Sequence, residues 1–392
     1  MFEAFAAALV LSVCLIRALI PMAVPLGLVD APCLRKRHKG VVPLIGGLAI
    51  YIALVPLALL FPFWQAHHGM WLLALGFPLL LIGLADDRWE ISARKRLVVE
   101  VCCGLLAIVY GGVQLHDIGS LLPNVGGTLV LLSIPLTIVG MVGVINAVNM
   151  TDGVDGLAGG LATLTFGALA YLTYPTDVAV AQQLITFVAV LLGFLFFNSR
   201  FFGRKRAAIF LGDGGSIFIG FALAWYLISL SQGDSAVIKP VDALWLLAVP
   251  LIDTMTIMTR RIRHGRSPFS ADREHLHHIL MLSGFGANGT VLIILASHAF
   301  FILIGIASIH YQLTEWIAFV MFVALFLTYY AAMTHAWKVM KRVKHFREWA
   351  GFEDRRKEDR RTAGRSSGSD RRFARDQELA ETFALRTDTP GH

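Results

Sequence analysis

Apolar runs recur down the whole of this 392-residue chain, and they constrain its fold more than any other feature. Eleven can be drawn, at 3–24, 43–64, 70–85, 97–113, 128–147, 157–174, 178–198, 214–231, 240–259, 290–310 and 314–337. A bilayer core is crossed by about 20 helical residues, and most of these runs approach that length. No water reaches a backbone buried in lipid, so each run must satisfy its own amides as a helix. The expected fold is therefore all-α, a polytopic integral membrane protein with about 11 transmembrane helices. With 56% hydrophobic and 16% charged residues, an ordinary soluble domain is excluded. The first run lacks a signal-peptide cleavage pattern and reads as a retained helix.

The formal net charge of +7 could suggest a nucleic-acid partner, but the placement of the charges argues against one. If every second loop faces one side, the Lys and Arg collect there: Arg35 to Lys39, Arg88 to Arg96, Arg200 to Arg206, Arg260 to Arg273, and the tail. Before the tail, only Arg17 and Lys239 fall outside this set. This is the positive-inside asymmetry, and it predicts a periplasmic N-terminus and a cytoplasmic C-terminus. It also puts every motif described next on the cytoplasmic face.

The densest motif is Asn146-Ala-Val-Asn149-Met-Thr-Asp152-Gly-Val-Asp155-Gly156, between the fifth and sixth runs. Its amides and carboxylates recur at steps of three, so neighbours sit on adjoining faces of a helix end. Gly153 and Gly156 leave room for close backbone approach by a large ligand. A solvated, Asp-capped turn would explain one Asp-Gly; two such pairs preceded by two Asn fit a site better.

Three further motifs share that face. Asp86 and Asp87 are adjacent at the end of the third run. Two like charges this close need a cation or a shared proton, which suits proton work or metal contact. Lys95 and Arg96 follow, and either hold a lipid phosphate or snorkel. Leu211-Gly-Asp213-Gly-Gly-Ser216 opens the eighth run and offers a carboxylate beside free amides, suited to a divalent cation shared with phosphate; alone it could be a cap. The longest inside loop carries Arg266, then His275, His277 and His278. Their spacing is not that of a helical zinc site and no Cys set accompanies them, so beside so many Arg they read as donors to diphosphate. Asp253 in the ninth run is read as a cation partner or a packing group before a direct catalytic role. His298 and His310 are read as packing or interfacial residues. Cys14, Cys33, Cys102 and Cys103 show no metal spacing and no disulfide framework.

After Trp337 the composition changes to a charged stretch of mixed sign, expected to be a largely disordered cytoplasmic tail over 338–392. Carboxylates with Asn suit Mg²⁺, and an Arg/His loop suits phosphates. Together at a membrane interface they point to phosphoryl transfer onto a lipid.

At these residues the chain resembles the polyprenyl-phosphate N-acetylhexosamine-1-phosphate transferases. The family's signatures stand in order: Asp-Asp at 86–87, Asn-x-x-Asn-x-x-Asp-Gly-x-Asp-Gly at 146–156, Leu-Gly-Asp-Gly-Gly-Ser at 211–216 and His-x-His-His at 275–278. The resemblance covers residues 1–337, the expected multi-pass transferase domain, and is nearest to bacterial members that use undecaprenyl phosphate and N-acetylglucosamine. The tail departs from the family pattern. The resemblance implies Mg-dependent transfer of N-acetylglucosamine-1-phosphate from UDP-N-acetylglucosamine to undecaprenyl phosphate, releasing UMP. Such a step opens a cell-surface polysaccharide pathway of O-antigen or common-antigen type, at the bacterial inner membrane. Carried over by position, Asn149 and Asp213 would hold Mg²⁺, with Mn²⁺ as an alternative, and Asp155 would contact uracil. Asp86 and Asp87 would orient or deprotonate the lipid phosphate. Arg266, His275, His277 and His278 would hold the diphosphate, and Asp152 would support the metal or touch substrate. A 6-deoxy sugar as donor, a homodimer, a cation-coupled transporter and a lipid phosphatase stay open at this point. Direct attack by the lipid phosphate is expected rather than a covalent Asp intermediate.

Overall fold

A computed structural model describes residues 2–30, 41–121, 131–201, 204, 206–267, 275–335, 342 and 345. The Arg35–Lys39 cluster, Cys33, Asp272, Arg273 and nearly all of the tail lie outside the described residues.

Thirteen helices follow one another among the described residues. They are α1 (Phe2–Leu19), α2 (Gly46–Leu60), α3 (Gly69–Trp89), α4 (Ala93–Gly111), α5 (Ser133–Thr151), α6 (Leu157–Thr173) and α7 (Val178–Asn198). After these come α8 (Gly212–Ser229), α9 (Pro240–Leu246), α10 (Ala248–Arg263), α11 (Leu276–Leu282), α12 (Ala287–His310) and α13 (Glu315–Thr334). A two-stranded antiparallel ribbon, β1 (Val29–Asp30) with β2 (Val42–Pro43), precedes α2. Among the described residues six helices are long and apolar enough to cross a membrane, or seven if α9 and α10 form one bent span. Helices α2 and α6 are apolar but shorter. The chain is thus helical and polytopic.

Helix α8 is the axis of the bundle. Nearly all its residues from Ile217 to Ile228 are fully buried, as expected of a helix apolar on every face. Two facing glycine pairs let α2 and α3 close on its first turn. A Cβ on Gly47 would lie 2.9 Å from the Gly214 carbonyl carbon, and one on Gly83 would lie 2.6 Å from that of Asp213. In lipid, where apolar side chains gain little by leaving their surroundings, such small-residue contacts drive helices together. Backbone pairing seals the same end: Gly46 and Gly47 donate to the carbonyls of Phe210 and Leu211, and Phe210 N donates to Pro43 O.

One expected element is corrected. The run 240–259 is not a continuous helix: α9 and α10 meet at 88°. Pro250 has no N–H to give Leu246, and its ring would strike that carbonyl in a straight helix. The freed Leu246 oxygen accepts from Thr165 Oγ1 at 3.0 Å, and the same hydroxyl lies 3.0 Å from His298 Nε2. His298 is thus part of the polar plug that lets the helix break inside an apolar bundle.

Candidate active site

The ends of α3, α4, α5 and α8 converge. Asp87, on the last turn of α3, accepts from the Asp213 amide at 2.9 Å and the Gly214 amide at 3.3 Å, so it caps α8 from another helix. A carboxylate is well placed at a helix N-terminus, where free N–H groups and the dipole favour negative charge. Its neighbour Asp86 takes Arg96 Nη1 at 2.6 Å, and the same nitrogen lies 3.7 Å from Asp213 Oδ2. Arg96 thus tempers two of the acids that α3 and α8 bring together. A cavity of about 310 Å³ opens here, lined by Leu44, Asp86, Asp87, Glu90, Ile91 and Asp213.

Asn149, on the last turn of α5, donates from Nδ2 to Asp213 Oδ1 at 2.7 Å and to Ser216 Oγ at 2.9 Å. With both amide protons placed, its Oδ1 has no partner among the described residues. Asn146, one step earlier, turns to α4 and donates to the buried Glu100 at 2.7 Å. The three-residue step therefore sends one amide to the acid cluster and the other to helix packing.

Asp152 caps α5 at its C-terminal end. Burial, then the charges of Asp213, Asp87 and Asp155, push its carboxyl up to about 8. Four carboxylates thus act on one another across this end of the bundle. The donor set is hard oxygen: carboxylates and an amide carbonyl. Among the described residues no three His, Cys, Asp or Glu gather as a closed metal cage. Mg²⁺ ordinarily takes only one or two protein carboxylates and completes its shell with water and phosphate, so Asn149 with Asp213 fits it.

Asp155 is placed differently. Its Oδ2 takes Arg200 Nε at 2.6 Å and the Ala207 amide at 3.1 Å, tying it to the loop after α7. Asn198 stitches the same loop, accepting from Gly156 N and donating to Ile209 O.

The histidines meet the site at the turn after α5. His277 is buried against Gly153, where a Cβ would fall 2.7 Å from its ring carbon Cε1. Burial, with His278 and His275 behind it, lowers His277 to about 3, so it is a neutral imidazole with one N–H to donate. Its ring lies 4.3 Å from that of His278 and 5.5 Å from that of His275. His275 Nδ1 sits 2.8 Å from Asp253 Oδ2, and Asp253 Oδ1 accepts from the Leu276 amide at 3.1 Å. Lys95 and Arg266 are exposed, and no described contact joins either side chain to the acids.

Asp86, Asp87, Asn149, Asp152, Arg96 and Asp213 thus come together, with His277 one residue's width from Asp152. Sequence reasoning missed Glu100, Arg200 and Ser216 as supports. Ser216 closes the Leu-Gly-Asp-Gly-Gly-Ser signature and could have been found there; a lone Glu or Arg in an otherwise ordinary stretch carries no such signal.

The profile of glycosyl transferase family 4 matches residues 69–231, from the start of α3 to just past α8, and so includes three of the four motifs. The chain is also similar along most of its length to proteins named undecaprenyl-phosphate alpha-N-acetylglucosaminyl 1-phosphate transferase. The Haemophilus influenzae protein is 37% identical over 332 residues, 84% of this chain and 93% of its own. The Yersinia pestis protein is 36% identical over 330 residues, 83% and 89% respectively, and that of Escherichia coli O157:H7 is 35% identical over 325, 82% and 88%. Acids gathered at the ends of apolar helices and this likeness across four-fifths of the chain lead to one conclusion: the chain belongs to glycosyl transferase family 4, among the polyprenyl-phosphate N-acetylhexosamine-1-phosphate transferases.

Proposed function

We propose that this protein transfers N-acetylglucosamine-1-phosphate from UDP-N-acetylglucosamine to undecaprenyl phosphate and releases UMP. The observation that carries the reading is the convergence of Asp86, Asp87, Asn149 and Asp213 on the first turn of α8, in a chain that shares 35–37% identity with transferases of that name. An oxygen of the lipid phosphate attacks the β-phosphorus of the nucleotide sugar. The new P–O bond forms as the bond to the bridging oxygen breaks, and that electron pair leaves with UMP. Little covalent chemistry is asked of the protein, so positioning and charge neutralisation supply the acceleration.

Mg²⁺ held by Asn149 Oδ1 and Asp213, with Mn²⁺ as an alternative, would supply charge neutralisation on the diphosphate. The chain's own groups do the rest. Arg96, with Lys95, draws the lipid phosphate towards Asp86 and Asp87. Asp152, its carboxyl raised by burial and the neighbouring acids in the metal-free site, is placed to exchange a proton with the phosphates. His277 donates its single N–H to the diphosphate, with His275, His278 and Arg266 contributing at the same subsite. Asp155, tied to Arg200, shapes the loop that meets the base.

The reading includes eleven spans, a periplasmic N-terminus and an active site at the cytoplasmic face of the bacterial inner membrane. Residues 1–337 are its membrane domain and 338–392 a charged tail. The sorted Lys and Arg support this topology, and the product would start a cell-surface polysaccharide. The test is release of UMP from UDP-N-acetylglucosamine by purified protein in detergent with Mg²⁺. Release that requires undecaprenyl phosphate supports the transferase; release without it, or none at all, overturns it. Competition among UDP-sugars in the same assay reads the donor's identity.

A further inference from the structure

Asp253, in the second turn of α10, is nearly inaccessible, at 4% exposure, and makes none of the bonds that join the acid cluster. Among the described residues three donors meet it. His275 Nδ1 and the Leu276 amide come from the start of α11, and the third is Tyr329 Oη on α13, at 2.6 Å from Asp253 Oδ1. A buried carboxylate is retained only when such donors replace its lost water.

Helix α11 has seven residues, too few to hold itself together, so its position depends on what its ends are tied to. Its start is tied to Asp253 by both His275 and Leu276. Two residues on, His277 packs against Gly153, beside Asp152. Whatever fixes the Asp253 carboxylate therefore fixes the histidines against the loop at the end of α5. Of the donors, only the Tyr329 hydroxyl comes from outside the histidine segment, so it acts as the fixed reference. It also lies outside the stretch matched by the family profile.

We propose that Tyr329 is a positioning residue of the subsite for the nucleotide-sugar diphosphate, acting through Asp253 to hold His275 and His277 in register with Asp152. The proposal rests on the transferase reading above. It predicts a selective defect: the donor substrate is held less well, while the lipid phosphate, bound at Arg96 and the α3 acids, is not affected.

The experiment is steady-state kinetics on Tyr329→Phe, Asp253→Asn and the double variant, with UDP-N-acetylglucosamine and undecaprenyl phosphate varied in turn. Loss of a hydrogen bond to a charged group predicts a rise of about tenfold in KM for UDP-N-acetylglucosamine in Tyr329→Phe. KM for undecaprenyl phosphate should stay within about twofold. Because Tyr329 acts through Asp253, the double variant should be no worse than Asp253→Asn alone. Tyr330→Phe, which removes only the hydroxyl that accepts from Arg263 on the exposed side of α13, should match wild type. Unchanged donor KM in Tyr329→Phe, equal shifts in both substrates' KM, or additive effects in the double variant would each overturn the assignment. Wild-type protein that releases no UMP would instead defeat the transferase reading itself.

Discussion

Gly83→Ala tests whether the acids are placed by helix contact rather than by their own bonding. A Cβ at Gly83 would lie 2.6 Å from the Asp213 carbonyl carbon and closer still to Gly214 N and Cα. All three are backbone atoms, so no side chain can swing away. Carbon atoms pack at about 3.5 Å, so α3 must withdraw from α8 by about 1 Å. Asp86 and Asp87 sit one turn further along α3 and would move with it, stretching the bonds from Asp87 to the Asp213 and Gly214 amides. Displacement of that size costs about 100-fold in turnover where catalysis depends on positioning, and the overpacking itself costs about 1–3 kcal/mol. The assay is UMP release at saturating substrates beside thermal unfolding in the same detergent. Gly167→Ala is the control, since a Cβ there meets nothing within 4 Å. A Gly83→Ala protein that keeps turnover within about threefold of wild type, or loses it only through unfolding, would refute the argument.

Asp213→Asn should abolish Mg²⁺-dependent turnover while the protein still inserts in the membrane; unchanged activity would remove Asp213 as a ligand. Asp152 is an acid whose folded pKa, about 8, lies above its ordinary value, so the native state holds the extra proton and metal-free stability falls as pH rises from about 4 to 8. Mg²⁺ should therefore raise the thermal midpoint more at pH 8 than at pH 6, and equal increments would contradict the assignment. Thr165→Val removes the donor to Leu246 O at the α9–α10 break and should lower stability by about 1 kcal/mol, read by thermal unfolding. Incubation with labelled UDP-N-acetylglucosamine alone should leave Asp87 and Asp152 unlabelled; a trapped phosphosugar would establish a covalent route.

Composition and run length alone required a helical membrane bundle, because lipid accepts no other backbone arrangement from such stretches. The acids and amides were also legible, since Asp-Asp at 86–87 and the three-residue step through Asn149 and Asp152 interrupt apolar runs where charge is costly. Local sequence could not say what those groups bond to. That Asp87 caps α8, that Asn146 turns away to Glu100, and that Asp155 is taken by Arg200 depend on which helix ends meet. The run 240–259 looked continuous because apolar composition does not reveal a break; Pro250 marked it, but only Thr165 and His298 from other helices make it tolerable. Asp253 read equally as a cation partner or a packing group until α11 and α13 were brought to it. Each of these depends on contacts between residues tens to hundreds of positions apart, and such contacts are decided by packing, whereas fold class and charge placement are decided by what each segment can do alone in lipid.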